Sequence, residues 1–259
     1  MLRLVVLCVF LSSNVARACD HAVPSTELRD AIYSRDIDRV ETLLNQNQEL
    51  FEIGRRNAED TRCLFRHFTK MRPATFDLVE EWLKSYPDSP FAHTAQAWIN
   101  YTVSWQFRGD RYARDTYPAA LSQFSELQHV AWDHAELAYR ARPRLIAASD
   151  ALIKLANPNR QFERRDVVLS EVMATDPNEG TLVRVVEQVL RGWGGTWELG
   201  AAMCDRYAHR VPGAGPDAAT RCKLPLARNF KEHWDWMNET LATGKYPYFD
   251  YLRLDFILG

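Results

Sequence analysis

Hydrophobic positions along this chain recur at the spacing of an α-helix. Leu28, Ala31, Ile32, Val40, Leu43 and Leu44 predict an N-terminal helical hairpin or one long helix, and Phe76, Val79, Leu83 and Tyr86 form a second stripe. Runs with strict apolar-polar alternation are nearly absent, which argues against sheet. The polar residues beside these stripes carry helix-boundary chemistry. Ser89 before Pro90 reads as an N-cap with proline at the first helical position; Asp176 before Pro177, with Glu179 three residues on, reads the same way with a reciprocal capping partner.

The helices show a weak repeat. Pro87, Pro143 and Pro177 close helical stretches over 82–86, 132–142 and 167–174, and each is followed by a new Ala- or Val-rich stretch. Pro143 and Pro177 are 34 positions apart, the period of a tetratricopeptide helix-turn-helix unit, and the interval from Pro87 to Pro143 is longer by 22, room for an insertion containing Tyr112 to Pro118. The expected fold is all-α: a tetratricopeptide-like stack of helical hairpins with degenerate repeats. Its expected layout is a signal peptide over 1–18, an N-terminal helical segment over 19–70 and a helical-repeat domain over 71–259.

The signal peptide changes the picture most. Arg3, the apolar run from Leu4 to Leu11 and the small-x-small sequence Ala16-Arg17-Ala18 have the form of a cleavable export signal, too short to span a bilayer. The mature chain is then expected to begin at Cys19, in the periplasm or outside the cell. A lipoprotein anchored through Cys19 is the alternative, although Ala16 and Arg17 stand where such signals usually have Leu and a small uncharged residue. No later apolar run approaches the roughly 18 residues of a membrane helix, so no transmembrane span is expected after cleavage. The chain is 46% apolar and 25% charged with net charge −2, without a polybasic signature, which disfavours nucleic acid as a partner.

Cleavage removes Cys8 and leaves Cys19, Cys63, Cys204 and Cys222. An even count in an oxidising compartment reads as two disulfides, and three pairings are open. Cys204 with Cys222 and Cys19 with Cys63 are favoured, because the first pair brackets the Pro/Gly-rich segment from Val211 to Pro216. No cysteine or histidine pair has the spacing of a structural zinc site, and no metal or other cofactor is expected.

Two stretches resemble a bacterial family known as domain of unknown function 4034. The first runs from Glu81-Trp82-Leu83-Lys84-Ser85-Tyr86-Pro87-Asp88-Ser89-Pro90-Phe91-Ala92 on to Trp105-Gln106-Phe107-Arg108-Gly109. The second is Arg191-Gly192-Trp193-Gly194-Gly195-Thr196, followed by Met203 and Tyr207-Ala208. The match would cover roughly residues 28 to 210; it departs at Gly192, where the family has proline or a basic residue, and in the two cysteines beyond the second motif. The resemblance implies a helical, tetratricopeptide-like fold and carries no established activity.

Both motifs have a structural reading. Gly109 can cap a helix in the left-handed region with Arg108 at the negative end of the dipole, and Gly194-Gly195 permits a tight turn that folds Trp193 and Trp197 onto neighbouring helices. The functional reading places Trp105, Arg108, Trp193 and Trp197 along one end of a groove in which the guanidinium grips a carboxylate or phosphate.

The densest acid-base cluster is His129, Asp133, His134 and Glu136 on one predicted helix. His129 and Asp133 can share a face, Glu136 can pair with Arg140, and His134 falls on the stripe of Leu127, Ala131 and Ala138. A site there needs a further group from another helix. No His-Glu-x-x-His helix, Gly-x-Ser-x-Gly elbow or phosphate-cradling glycine loop occurs. Eight tryptophans, with Trp234-Asp235-Trp236 and the run from Tyr246 to Tyr251 near the C-terminus, offer either a binding surface or core packing. The leading expectation is a non-enzymatic exported protein that binds a peptide or another protein of the cell envelope. The alternative is an envelope hydrolase working through Asp133, His134 and Glu136, discriminated by whether a second histidine or a carboxylate comes within reach of His134.

Overall fold

The structure, a computed structural model, describes residues 23–109, 115–190 and 193–246. Every regular element among them is helical. The signal segment and Cys19 lie outside the described residues, as do residues 110–114 of the expected insertion. The chain divides into two compact units, one ending at Asn159 and the other beginning at Arg160, so the division does not fall near residue 70.

In the first unit α1 (Val23–Ser34) and α2 (Ile37–Glu52) are two helices of a hairpin rather than one long helix. Asp36 opens α2 by accepting a hydrogen bond from the Arg39 N–H. All six residues of the N-terminal stripe are buried. A capping box between Asn57 and Asp60 starts α3 (Ala58–Phe65), which tightens into a 3-10 turn over Arg66–Thr69. Then come α4 (Pro73–Ser85), α5 (Pro90–Arg108), α6 (Pro118–Ala141) and α7 (Ile146–Ala156). Proline opens α4, α5 and α6, where its missing N–H has no helical partner to lose. Ser89 caps α5 as expected, its Oγ accepting from the Ala92 N–H at 3.2 Å.

The α4 stripe differs from the expected one. Its buried face is Thr75, Leu78, Val79 and Trp82, whereas Tyr86 is 36% exposed and donates its hydroxyl to Asp38 at 2.6 Å. Trp82 anchors that face: its indole N–H donates to Glu41 Oε2 at 2.7 Å, and the Ser89 hydroxyl donates to the same oxygen at 2.7 Å. The first resemblance motif thus fills a structural place between α2, α4 and α5.

The most extensive helix pairing is α5 with α6. Ala92, Ala95, Ala131, Ala135 and Ala138 are completely buried on these two helices, and side chains this small let the axes approach closely. Trp98 crosses toward α7, donating its indole N–H to the Ala147 carbonyl at 3.0 Å. Residues before position 70 belong to the same body because polar pairs lock them to it. Gln48 donates to the Arg144 carbonyl at 3.0 Å, and the Arg142 guanidinium forks onto Glu52 at 2.8 and 2.9 Å while lying over the Phe91 ring. That fork holds the Glu52 carboxyl below the usual carboxylate range.

The second unit contains α8 (Phe162–Thr175), α9 (Glu179–Gln188), α10 (Trp197–Tyr207), α11 (Ala218–Ala227) and α12 (Trp234–Ala242). The boundary between α8 and α9 corrects the sequence expectation. Asp176 ends α8, its N–H donating to the Val172 carbonyl, and Asn178 caps α9 by accepting from the Thr181 N–H at 2.9 Å. Pro177 therefore sits in the connection and not at the first helical position. The bond between Cys204 and Cys222 joins α10 to α11, as expected. Cys63 is disulfide-bonded too; its expected partner, Cys19, lies outside the described residues.

Candidate functional site

The group His134 needs from another helix is His93. It stands on the first turn of α5, and the close α5–α6 packing brings its Nδ1 to 2.7 Å from His134 Nδ1, with ring centroids 5.0 Å apart. Sequence reasoning missed His93 because 41 residues separate the two and His93 itself has no local signature. The His93 Nε2 lies 2.8 Å from the Pro87 carbonyl oxygen. A carbonyl only accepts, so this nitrogen carries the hydrogen, and in the neutral ring His93 Nδ1 is a bare lone pair. His134 Nδ1 is then the donor between the rings. Burial, reinforced by the His93 ring and opposed by Asp133, pushes the His134 pKa down to about 4, so His134 is neutral at physiological pH.

The other members of the acid-base cluster do not join this pair. His129 Nδ1 meets Asn159 Oδ1 at 3.2 Å and makes no bond with Asp133. Glu136 is nearly buried and pairs with Arg140 at 3.3 Å, the expected i, i+4 partner. Asp133 is exposed. No group of three His, Cys, Asp or Glu side chains arranged to hold a metal occurs among the described residues.

Trp105 and Arg108, on the last turns of α5, are brought together: the guanidinium lies over the Trp105 ring at 5.1 Å. Tyr101 and Phe124 meet the same indole edge-on, giving an aromatic stack at this end of the α5–α6 hairpin. Gly109 ends α5 with φ of 65°, and its carbonyl accepts from Arg108 Nη1 at 3.2 Å. Among the described residues no carboxylate pairs with Arg108. This differs from Arg35, Arg39, Arg62, Arg140 and Arg142, each of which is matched to an acidic side chain.

Trp193 and Trp197 belong to the second unit. Trp193 is 38% exposed, whereas Trp197 stacks on the His233 ring at 4.0 Å and meets Phe230 and Trp236 edge-on. Trp197, Trp234 and Trp236 pack against the buried cluster of Leu224, Ala227, Met237, Leu241 and Tyr246. The aromatic C-terminal segment is therefore core as far as Tyr246, and residues 247–259 lie outside the described residues. Gly195 closes the Trp-Gly-Gly turn for a steric reason: a Cβ there would stand 1.9 Å from the Val189 carbonyl oxygen.

One shallow depression of about 450 Å³ is lined by Glu27, Asp30, Ala31, Ser34, Asp36 and Arg39. Its charged groups are engaged with protein partners, Arg39 with Glu27 at 2.7 Å and Asp30 with Arg29 at 3.3 Å, which leaves little to orient a small ligand. No helix among the described residues is long and apolar enough to cross a membrane. Comparison with known proteins adds no relative: no protein-family model, no curated protein and no solved structure matches this chain.

Proposed function

We propose that this is an exported helical-hairpin protein that binds a peptide or another protein of the cell envelope, with Arg108 gripping a carboxylate of that partner. The observation that carries the reading is the unmatched guanidinium. Arg108 spends one hydrogen bond on the adjacent Gly109 carbonyl and meets no acidic partner among the described residues, its planar fork oriented by the Trp105 ring beneath it. Phe107 and Tyr117, 47% and 75% exposed, add apolar area near that end of the hairpin. An all-α hairpin stack and a disulfide suit an exported binding module.

The test is capture of partners from an envelope extract by the wild-type chain and by Arg108→Lys, read beside thermal stability. Lysine keeps the charge and loses the fork. The proposal expects weakened capture of the same partner with little change in melting temperature; equal capture by both proteins dismisses it.

One observation favours a second reading, an envelope hydrolase acting through Asp133, His134 and Glu136. His93 provides the added partner within hydrogen-bond reach of His134. This reading expects hydrolysis of ester or amide reporter substrates that His134→Gln abolishes, and absence of any turnover by the wild-type chain sinks it.

A further inference from the structure

We infer that His93 and His134 form a binding site for a divalent transition-metal ion, held between the two Nδ1 atoms. This inference does not depend on the partner-binding reading, which concerns the opposite end of α5.

Three features of the pair carry it. The first is the fixed tautomer of His93. Its Nε2–H donates to the Pro87 carbonyl at 2.8 Å, which presents the Nδ1 lone pair toward α6. A backbone carbonyl holding the distal ring N–H is the usual support behind a metal-ligating histidine, because it orients the ring and raises the basicity of the ligating nitrogen. The second is convergence. The two Nδ1 atoms face each other at 2.7 Å with one hydrogen between them, so a second lone pair becomes available as soon as His134 moves its hydrogen to Nε2. Among the described residues no protein group hydrogen-bonds His134 Nε2, so the shift gives up only the hydrogen bond between the rings, which the ion replaces.

The third is fit. Imidazole–metal bonds of about 2.0–2.1 Å at a near-tetrahedral angle place the two nitrogens roughly 3.3 Å apart. The rings now lie along one line, 2.7 Å between nitrogens and 5.0 Å between centroids, so to meet an ion at that angle the nitrogens must separate by about half an ångström and each ring must turn by roughly 35°. Both rings are half-buried, which leaves the remaining positions of the ion to water or to an external ligand. Asp133, next in sequence to His134 and exposed, adds negative charge that favours a cation there. Two neutral imidazoles with open positions suit Zn²⁺, Ni²⁺ or Cu²⁺ and not Mg²⁺ or Ca²⁺, which take oxygen ligands.

The experiment uses the tag-free full chain with Zn²⁺ alone. Calorimetric titration of wild type is compared with His93→Gln, His134→Gln and His129→Gln, the last being a histidine of α6 outside the pair. Each of the first two is expected to lose one equivalent of Zn²⁺ or to weaken it at least tenfold, with His129→Gln unchanged. Nitrogen-15 imidazole spectra of the wild-type chain guard against variants that fail to fold: Zn²⁺ should move the Nδ1 resonances of both His93 and His134 to metal-bound positions. Identical stoichiometry and affinity in all four proteins, no binding by wild type, or metal shifts confined to other histidines would each overturn the inference.

Discussion

Arg62 on α3 and Asp150 on α7 form a two-pronged ion pair in the core of the first unit, Nε to Oδ2 at 2.6 Å and Nη2 to Oδ1 at 3.2 Å, across 88 residues of sequence. Their side chains are 5% and 1% exposed, and Arg62 also stands 3.7 Å from Glu59. Two desolvated charges are costly unless matched, so the fork fixes how α3 docks more than it adds net stability. Replacing one partner leaves the other charged and buried. Arg62→Met is expected to destabilise the unit by about 3–5 kcal/mol, and the double variant Arg62→Met/Asp150→Leu to recover much of that loss. Urea denaturation of wild type and the two variants checks it; a double variant no better than Arg62→Met would show that the pair contributes net stability.

Gly194 and Gly195 are adjacent but answer to different constraints. Gly194 has φ of 77° with open space where a Cβ would stand, whereas at Gly195 that Cβ would overlap the Val189 carbonyl. Gly194→Ala is therefore expected to cost about 1–2 kcal/mol from the left-handed backbone alone. Gly195→Ala should cost more, because the Val189 backbone itself has to move. Comparable denaturation midpoints for the two variants would refute the distinction.

What the sequence made legible is what depends on local spacing. The burial of Leu28, Ala31, Ile32, Val40, Leu43 and Leu44, the Ser89 cap and the ends of α4, α6 and α8 just before Pro87, Pro143 and Pro177 all follow from periodicity or from the proline ring. The pairing of Cys204 with Cys222 was readable from the loop between them. The misassigned α9 cap shows the limit of local rules. Asp176 and Asn178 are both good capping residues, and Asp176 was taken up by the end of α8. Arg62–Asp150 and His93–His134 depend on which helices pack together, and no spacing in one chain records that. His134 could be singled out as a polar residue on an apolar stripe, but its partner had to come from the fold.

The Cys204–Cys222 bond closes an 18-residue separation around the Pro/Gly-rich segment. In the chain-entropy account a loop of this size contributes about 3 kcal/mol by restricting the unfolded chain. Cys204 is fully buried, so Cys204→Ala with Cys222→Ala keeps the site apolar and isolates the cross-link. We expect that double variant to lose about 3 kcal/mol in a denaturant titration without reductant, and reduction to cost wild type about that much more than it costs the variant, in which the Cys63 bond is still reducible. Wild type indifferent to reductant, with free thiols at both positions by peptide mapping, would contradict the bond.

His67 gives the first unit a defined acid sensitivity. Its Nε2 lies 3.0 Å from the Ser25 hydroxyl, and burial, with Lys70, Arg72 and Arg29 nearby, pushes its pKa down to about 4. The unfolded histidine takes its proton near pH 6.5. Above that value both states are neutral and the group has no effect. Between about 6.5 and 4 only the unfolded chain binds the proton, so stability falls as pH drops; below about 4 both states are charged and this contribution levels off. The slope is at most about 1.4 kcal/mol per pH unit, and smaller to the extent that water reaches the ring. His67→Gln removes the titrating group while keeping a polar partner for Ser25. Urea midpoints between pH 7.5 and 4.5 should accordingly fall less steeply in His67→Gln than in wild type, and parallel curves would show that His67 is not the residue that senses acid.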